Sequence, residues 1–221
     1  MDYKKENVEY CGFSRFDFLH KHKENDGQIL IMPTWRKWIV DEIIDNNGIN
    51  EKFLESEYWN GWKQLFYSHE LRQIIEKYRL KIILVLHPNM RKYDIKSEVP
   101  SFIKILSNPD NLQDLLMTSN LLITDYSSVF FDMAYMRKPI IFYQFDEEKY
   151  RSFHYKQGWF DYHATHLGES LKTCISVVKK LDEYCANGFS VSDLFNEEHK
   201  KLFPKYDDKN SFRIYSVLKK E

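Results

Sequence analysis

Four short runs rich in isoleucine, leucine and valine, at residues 28–32, 81–86, 121–124 and 139–143, constrain this chain more than any other feature. Each is apolar at successive positions and bounded by polar turns, the pattern of strands buried on both faces. Between them lie stretches with a helical apolar period. Residues 58–78 place Trp59, Trp62, Leu65, Phe66, Leu71, Ile74 and Ile75 near one stripe, and 112–117 and 129–136 are shorter examples. A weaker strand candidate is 102–106. Strands alternating with helices predict an α/β fold, a Rossmann-like mostly parallel sheet with helices on both faces. The last third reads as helices at 169–183 and 191–203, with a final one starting near Asp207-Asp208. Residues 1–27, polar and aromatic without period, read as a lead-in segment, and 28–221 as the domain.

Composition narrows the partners. Lys and Arg total 32 against 33 Asp and Glu, a net charge of −1, so no global field favours nucleic acid or an anionic membrane. Any preference for phosphate must be local. Three cysteines, Cys11, Cys174 and Cys185, make neither a CxxC pair nor a disulfide framework and fit a reducing, cytoplasmic location. The apolar runs are far too short to cross a bilayer, which leaves open a peripheral place on the inner face of the cytoplasmic membrane for a full-length protein. Aromatic content is 16%, and Trp35, Trp38, Trp59, Trp62 and Trp159 have two readings: core and amphipathic faces, or a surface that meets another domain.

In parallel sheets ligands bind at the carboxyl ends of the strands. Three polar motifs follow strands here, at residues 33–36, at His87-Pro88 and at 124–128, so all three point to one edge. Thr124-Asp125-Tyr126-Ser127-Ser128 joins a buried run to a helical one. It puts two hydroxyls where the unpaired N–H groups and positive dipole end of a helix would form an anion site, although serines are also ordinary helix caps. His87, held extended by Pro88, suits hydrogen bonding to a phosphate or proton transfer, but His-Pro is also common loop punctuation. Arg36 offers a forked guanidinium to an anion or, equally, to a surface salt bridge. Asp132, one turn into the helix, would repel a phosphate and is expected to orient a neighbouring group. Asp207 and Asp208 either cap the last helix or accept from ribose or polyol hydroxyls.

No metal site is expected. The close histidine pairs, His20 with His22 and His163 with His166, lack helical i, i+4 spacing with a carboxylate. Neither the P-loop, the dinucleotide glycine pattern nor the nucleophile elbow occurs.

The ordered set of residues 12–17, 31–36, His87-Pro88, 110–116, 122–132, 138–143 and Asp207-Asp208 resembles the CDP-glycerol glycerophosphotransferase family, teichoic acid and capsule polymerases with a GT-B fold. The resemblance implies the C-terminal, donor-nucleotide half of a two-domain transferase, with no cofactor. His87, Ser127 and Ser128 would hold the donor pyrophosphate, with Arg36, Thr124, Asp125 and Asp132 nearby. Backbone groups of Ile105, Leu106, Ser107 and Asn108 would read the base. Expected partners are CDP-glycerol or a related nucleotide donor, the N-terminal domain, and a lipid-linked polymer or glycan acceptor. The family's Trp-His-Gly-Thr type motif, whose histidine is the expected general base, does not occur in these residues. The chain is therefore expected to be one domain of a longer or truncated protein, inactive alone. Two other readings share these residues, a GT-B glycosyltransferase donor domain using a nucleotide sugar and a non-catalytic nucleotide-binding module.

Overall fold

The computed structural model describes residues 4, 6, 8–21, 27–41, 49–93, 95–107 and 109–219. Six strands build one sheet: β1 (Gln28–Met32), β2 (Lys81–Val85), β3 (Ile103–Leu106), β4 (Ser119–Thr124), β5 (Ile140–Tyr143) and β6 (Glu169–Leu171). They lie in the order β3-β2-β1-β4-β5-β6, every neighbouring pair parallel. The chain builds outward from β1 to β3, then returns to place β4 on the other side of β1. The carboxyl ends of β1 and β4 therefore flank a topological switch point, where open α/β sheets bind ligands.

The helices are α1 (Arg15–Leu19), α2 (Lys37–Asp41), α3 (Ile49–Leu54), α4 (Glu57–Phe66), α5 (His69–Tyr78), α6 (Leu112–Thr118), α7 (Phe130–Tyr135), α8 (Glu147–Phe153), α9 (Cys174–Ala186), α10 (Asp193–Leu202) and α11 (Asn210–Leu218). The period-2 alternation of strand side chains sorts the core into two layers. Ile29, Ile31, Ile82, Leu84, Leu121, Ile123, Ile141 and Tyr143 face one layer with Trp59, Trp62 and Phe66 of α4 and Val177 and Leu181 of α9. Leu30, Ile83, Val85, Leu122, Ile140 and Phe142 face the other, with Phe16, Met117, Phe130, Met133 and Phe195. Burial on both faces is why the strands read as unbroken apolar runs.

Three expectations shift. The single stripe over 58–78 is two helices, because Ser68 breaks it and caps α5, its hydroxyl accepting from Leu71 N–H at 3.2 Å. The expected helix over 169–183 begins only at Cys174, after Thr173 caps it through Ser176 N–H, while Glu169–Leu171 pairs with β5 as an edge strand. Three residues with one apolar side chain leave no periodic signal; the backbone ladder with β5, with Leu171 packed against the first core layer, makes β6. The final helix starts at Asn210, beyond Asp207-Asp208.

Within the lead-in, α1 packs into the fold. Phe16 and Leu19 of α1 are buried in the second layer. Asp17 accepts from the backbone N–H groups of Asn210 and Ser211, both at 2.7 Å, and from Asn210 Nδ2. Burial opposes ionisation there, but these donors prevail and lower the Asp17 pKa to about 2. Of the tryptophans, Trp59 and Trp62 are core, Trp35 and Trp38 are partly buried against it, and Trp159 is 77% exposed. The core reading therefore holds for Trp59 and Trp62, and Trp159 is a surface residue.

Candidate functional site

A cleft of about 880 Å³ runs along the carboxyl ends of β1, β2 and β4. Pro33, Thr34 and Trp35 follow β1, His87 and Pro88 follow β2, and Tyr126, Ser127 and Ser128 follow β4. Pro109 and Leu112 close the end beyond β3, and Arg15 and Asp132 line the side of the serine turn. Residues far apart in sequence thus meet because the sheet ends them at one level.

His87 is presented in a defined tautomer. Its Nδ1 accepts from the backbone N–H of Asn89 at 3.2 Å, so in the neutral ring Nε2 carries the hydrogen and is a donor. Burial, then the nearby Arg91 cation, lower its pKa, and Asp125 only partly opposes them. Trp35 lies beside the ring, with centroids 6.0 Å apart and planes 28° from parallel. Across the cleft, Ser127 Oγ accepts from Val129 N–H at 3.4 Å, and the turn closes through Phe131 N–H to Ser128 O at 3.1 Å. The helix behind this turn, α7, is six residues long, so its dipole adds less than a long helix would; local N–H and hydroxyl donors remain.

The other predicted residues have different tasks. Thr124 is fully buried and donates its hydroxyl to Met32 O at 2.6 Å, tying β4 to β1 behind the cleft. Asp125 is fully buried; its Oδ1 accepts from Thr34 N–H at 2.9 Å and Tyr126 N–H at 2.7 Å. Arg36 is neither a surface salt bridge nor open to an anion: it is fully buried, bidentate to Asp146 at 2.7 and 2.9 Å and 2.8 Å from Asp125 Oδ2. Burial would strip its proton, but Asp125 and Asp146 hold it, raising its pKa above the ordinary arginine value. This ion triad supports the cleft floor, and the sequence reading of Arg36 as a donor contact is corrected accordingly. Asp132 does orient a neighbour, its Oδ1 2.6 Å from Arg15 Nε; burial raises its pKa against the pull of that cation.

Ile105 and Leu106 belong to β3 and pack into the two core layers, and neither they nor Ser107 line the cleft; Asn108 lies outside the described residues. Pro109 and Leu112 occupy that end instead. Asp207 lies away from the cleft, its carboxylate bidentate to Arg213 at 2.9 Å and its carbonyl accepting from Tyr135 Oη. Asp208 does not line the cleft either. Of the histidine pairs, His163 Nε2 faces the Glu147 carboxylate at 2.8 Å, and His22 lies outside the described residues. The residues that sequence reasoning missed are Arg15, Arg91, Tyr126 and Tyr150. Arg15 sat in a quoted motif without a role, and Tyr126 and Tyr150, stacked at 3.7 Å, meet only through tertiary folding.

A doubly wound parallel sheet with a cleft at its switch point defines a Rossmann-like α/β domain. Comparison with known proteins narrows this. The family model described as CDP-glycerol:poly(glycerophosphate) glycerophosphotransferase matches residues 2–220, and the chain belongs to that family. It is 34% identical over 220 residues to the minor teichoic acid biosynthesis protein GgaB of Bacillus subtilis strain 168, an alignment covering 98% of this chain and 24% of that protein. It is 29% identical over 191 residues to the teichoic acid poly(glycerol phosphate) polymerase of Bacillus spizizenii, covering 81% of this chain and 45% of that protein. The chain thus spans 24% and 45% of the length of these two relatives. The fold matches that of the wall teichoic acid polymerase TagF, in a variant soaked with CDPG, with a TM-score of 0.66 and 20% identity over 99% of this chain and 53% of that one. Among the described residues no helix is long and apolar enough to cross a membrane.

Proposed function

We propose that the cleft binds the nucleotide of a CDP-activated polyol phosphate, CDP-glycerol or CDP-ribitol, and that the chain is the donor half of a polyol-phosphate transferase. The observation that carries this reading is the convergence of His87 Nε2–H with the Ser127-Ser128 turn across one cleft, in a chain of this family. Fixed N–H and O–H donors stabilise negative charge without reorganising, which is what a departing nucleoside monophosphate requires. In the transfer, an acceptor hydroxyl oxygen bonds to the polyol-bearing phosphorus. The bond from that phosphorus to the bridging oxygen breaks, and CMP leaves with the electron pair.

The hydroxyl proton needs a base. His87 is oriented as a donor and Asp132 is engaged by Arg15, so neither is placed to take it; in keeping with the family's Trp-His-Gly-Thr type motif, the base is assigned to a further domain, which leaves this chain inactive alone. The acceptor is a growing envelope polymer or glycan, which the complete protein meets at the inner face of the cytoplasmic membrane.

Titration calorimetry with CDP, CMP, UDP and GDP tests the reading. The expected result is preference for CDP, with Ser127→Ala/Ser128→Ala weakening it by about 10- to 100-fold through loss of hydrogen bonds to a charged group. Preference for UDP would favour the nucleotide-sugar reading, and absence of nucleotide binding would remove the proposal. Turnover by this chain alone would overturn the claim that the base lies elsewhere.

A further inference from the structure

Arg91 ends the short turn that follows His87-Pro88, its backbone N–H donating to Pro88 O at 3.2 Å. It is exposed and lines the same cleft as His87, Ser127 and Ser128. Two arginines line that cleft, and they differ in one respect. Arg15 is neutralised by Asp132 at 2.6 Å, whereas the Arg91 guanidinium has no carboxylate partner among the described residues. The third nearby guanidinium, Arg36, is sealed behind the floor by Asp125 and Asp146. Among the described residues lining the cleft, Arg91 is therefore the arginine without a carboxylate partner, and its charge is already felt inside, since it helps to lower the His87 pKa.

Strand order gives the cation a place along the ligand. From one end of the cleft to the other come Pro109 and Leu112 after β3, His87 and Arg91 after β2, Trp35 after β1, and Ser127-Ser128 after β4. The proline-leucine end is apolar and suits a nucleobase, and the serine turn at the other end offers hydroxyls to the pyrophosphate. Arg91 stands between them.

We propose that Arg91 is the counter-cation of the phosphate adjoining the nucleoside, a binding residue of the donor that acts with His87. A guanidinium grips phosphate through two parallel N–H bonds, and an exposed one with no carboxylate to leave can do so without breaking an ion pair. The inference rests on the reading of the cleft given above, and its test separates the two.

The full chain and Arg91→Gln are compared by calorimetry with CMP and CDP, by chemical-shift titration with cytidine, and by thermal melting without ligand. Arg91→Gln is expected to weaken CMP and CDP alike by about 10- to 100-fold, to leave cytidine unchanged and to melt as the parent does. Arg91→Lys, which keeps the charge but not the fork, should recover part of the loss. If the parent binds CDP and Arg91→Gln binds CMP and CDP equally well, the inference fails while the reading of the cleft stands. A loss for cytidine as large as that for CDP would also overturn it, because the residue would then shape the cleft and not pair with phosphate. A parent that binds no nucleoside diphosphate removes both.

Discussion

Replacing Arg36 with leucine is expected to cost about 3–5 kcal/mol of unfolding free energy, because it strands the Asp125 and Asp146 carboxylates away from water. Both acceptors are buried, and the guanidinium also lies 4.6 Å from the Tyr58 ring, 4.9 Å from Tyr150 and 5.2 Å from Tyr126, so aromatic rings and not water surround the charge. Urea unfolding measures the loss, and adding Asp146→Asn to Arg36→Leu should restore part of it by removing one unpaired charge. The site should suffer with the fold. Asp125 holds Thr34 N–H and Tyr126 N–H, one on each wall of the cleft, so losing its cation loosens both. A direct donor contact would behave differently: Arg36→Lys would then lose nucleotide binding with stability intact. In the buried triad, Arg36→Lys should lose stability first, because an ammonium cannot replace two bonds to Asp146 and reach Asp125 as well.

That contrast shows which parts of this molecule are legible in its sequence. The strands announced themselves because burial on both faces forces unbroken apolar runs, as in β1, β2, β4 and β5. The site edge was legible for the same reason: polar motifs that end such runs must emerge at one level in a parallel sheet. His87 and the serine turn accordingly meet in one cleft. Arg36 was misread because a guanidinium after a strand looks the same in sequence whether carboxylates wait for it or solvent does. Its partner Asp146 lies 110 positions away. Glu169–Leu171 was misread because an edge strand half open to solvent needs backbone partners more than apolar side chains. Asp207 looked like a helix cap or polyol ligand, and only the folded chain shows it held by Arg213 beside Tyr135.

Lys138→Met is expected to destabilise the protein by about 2–4 kcal/mol at neutral pH, since buried carbonyls that lose a charged donor are left unpaired. Lys138 Nζ donates to Leu116 O at 3.1 Å, Met117 O at 2.5 Å and Ser119 O at 2.7 Å, pinning the end of α6 to the start of β4. A cation at carbonyls that close a helix is also favoured by the dipole. Burial lowers the Lys138 pKa to about 8, against an ordinary lysine value of 10.5. Between those values the unfolded chain holds a proton that the folded chain has released, so stability from this group rises with pH there. Below pH 8 both states are protonated and the contribution is flat. The parent-minus-variant difference in urea stability should therefore grow from pH 8 to pH 10, a comparison in which the buried tyrosines common to both proteins cancel. A variant as stable as the parent, or a difference independent of pH, would refute the role given to Lys138. The consequence reaches the site along β4: the strand whose first residue Lys138 clamps ends at Thr124, one residue from the carboxylate that braces the cleft and three from the first serine of its serine turn.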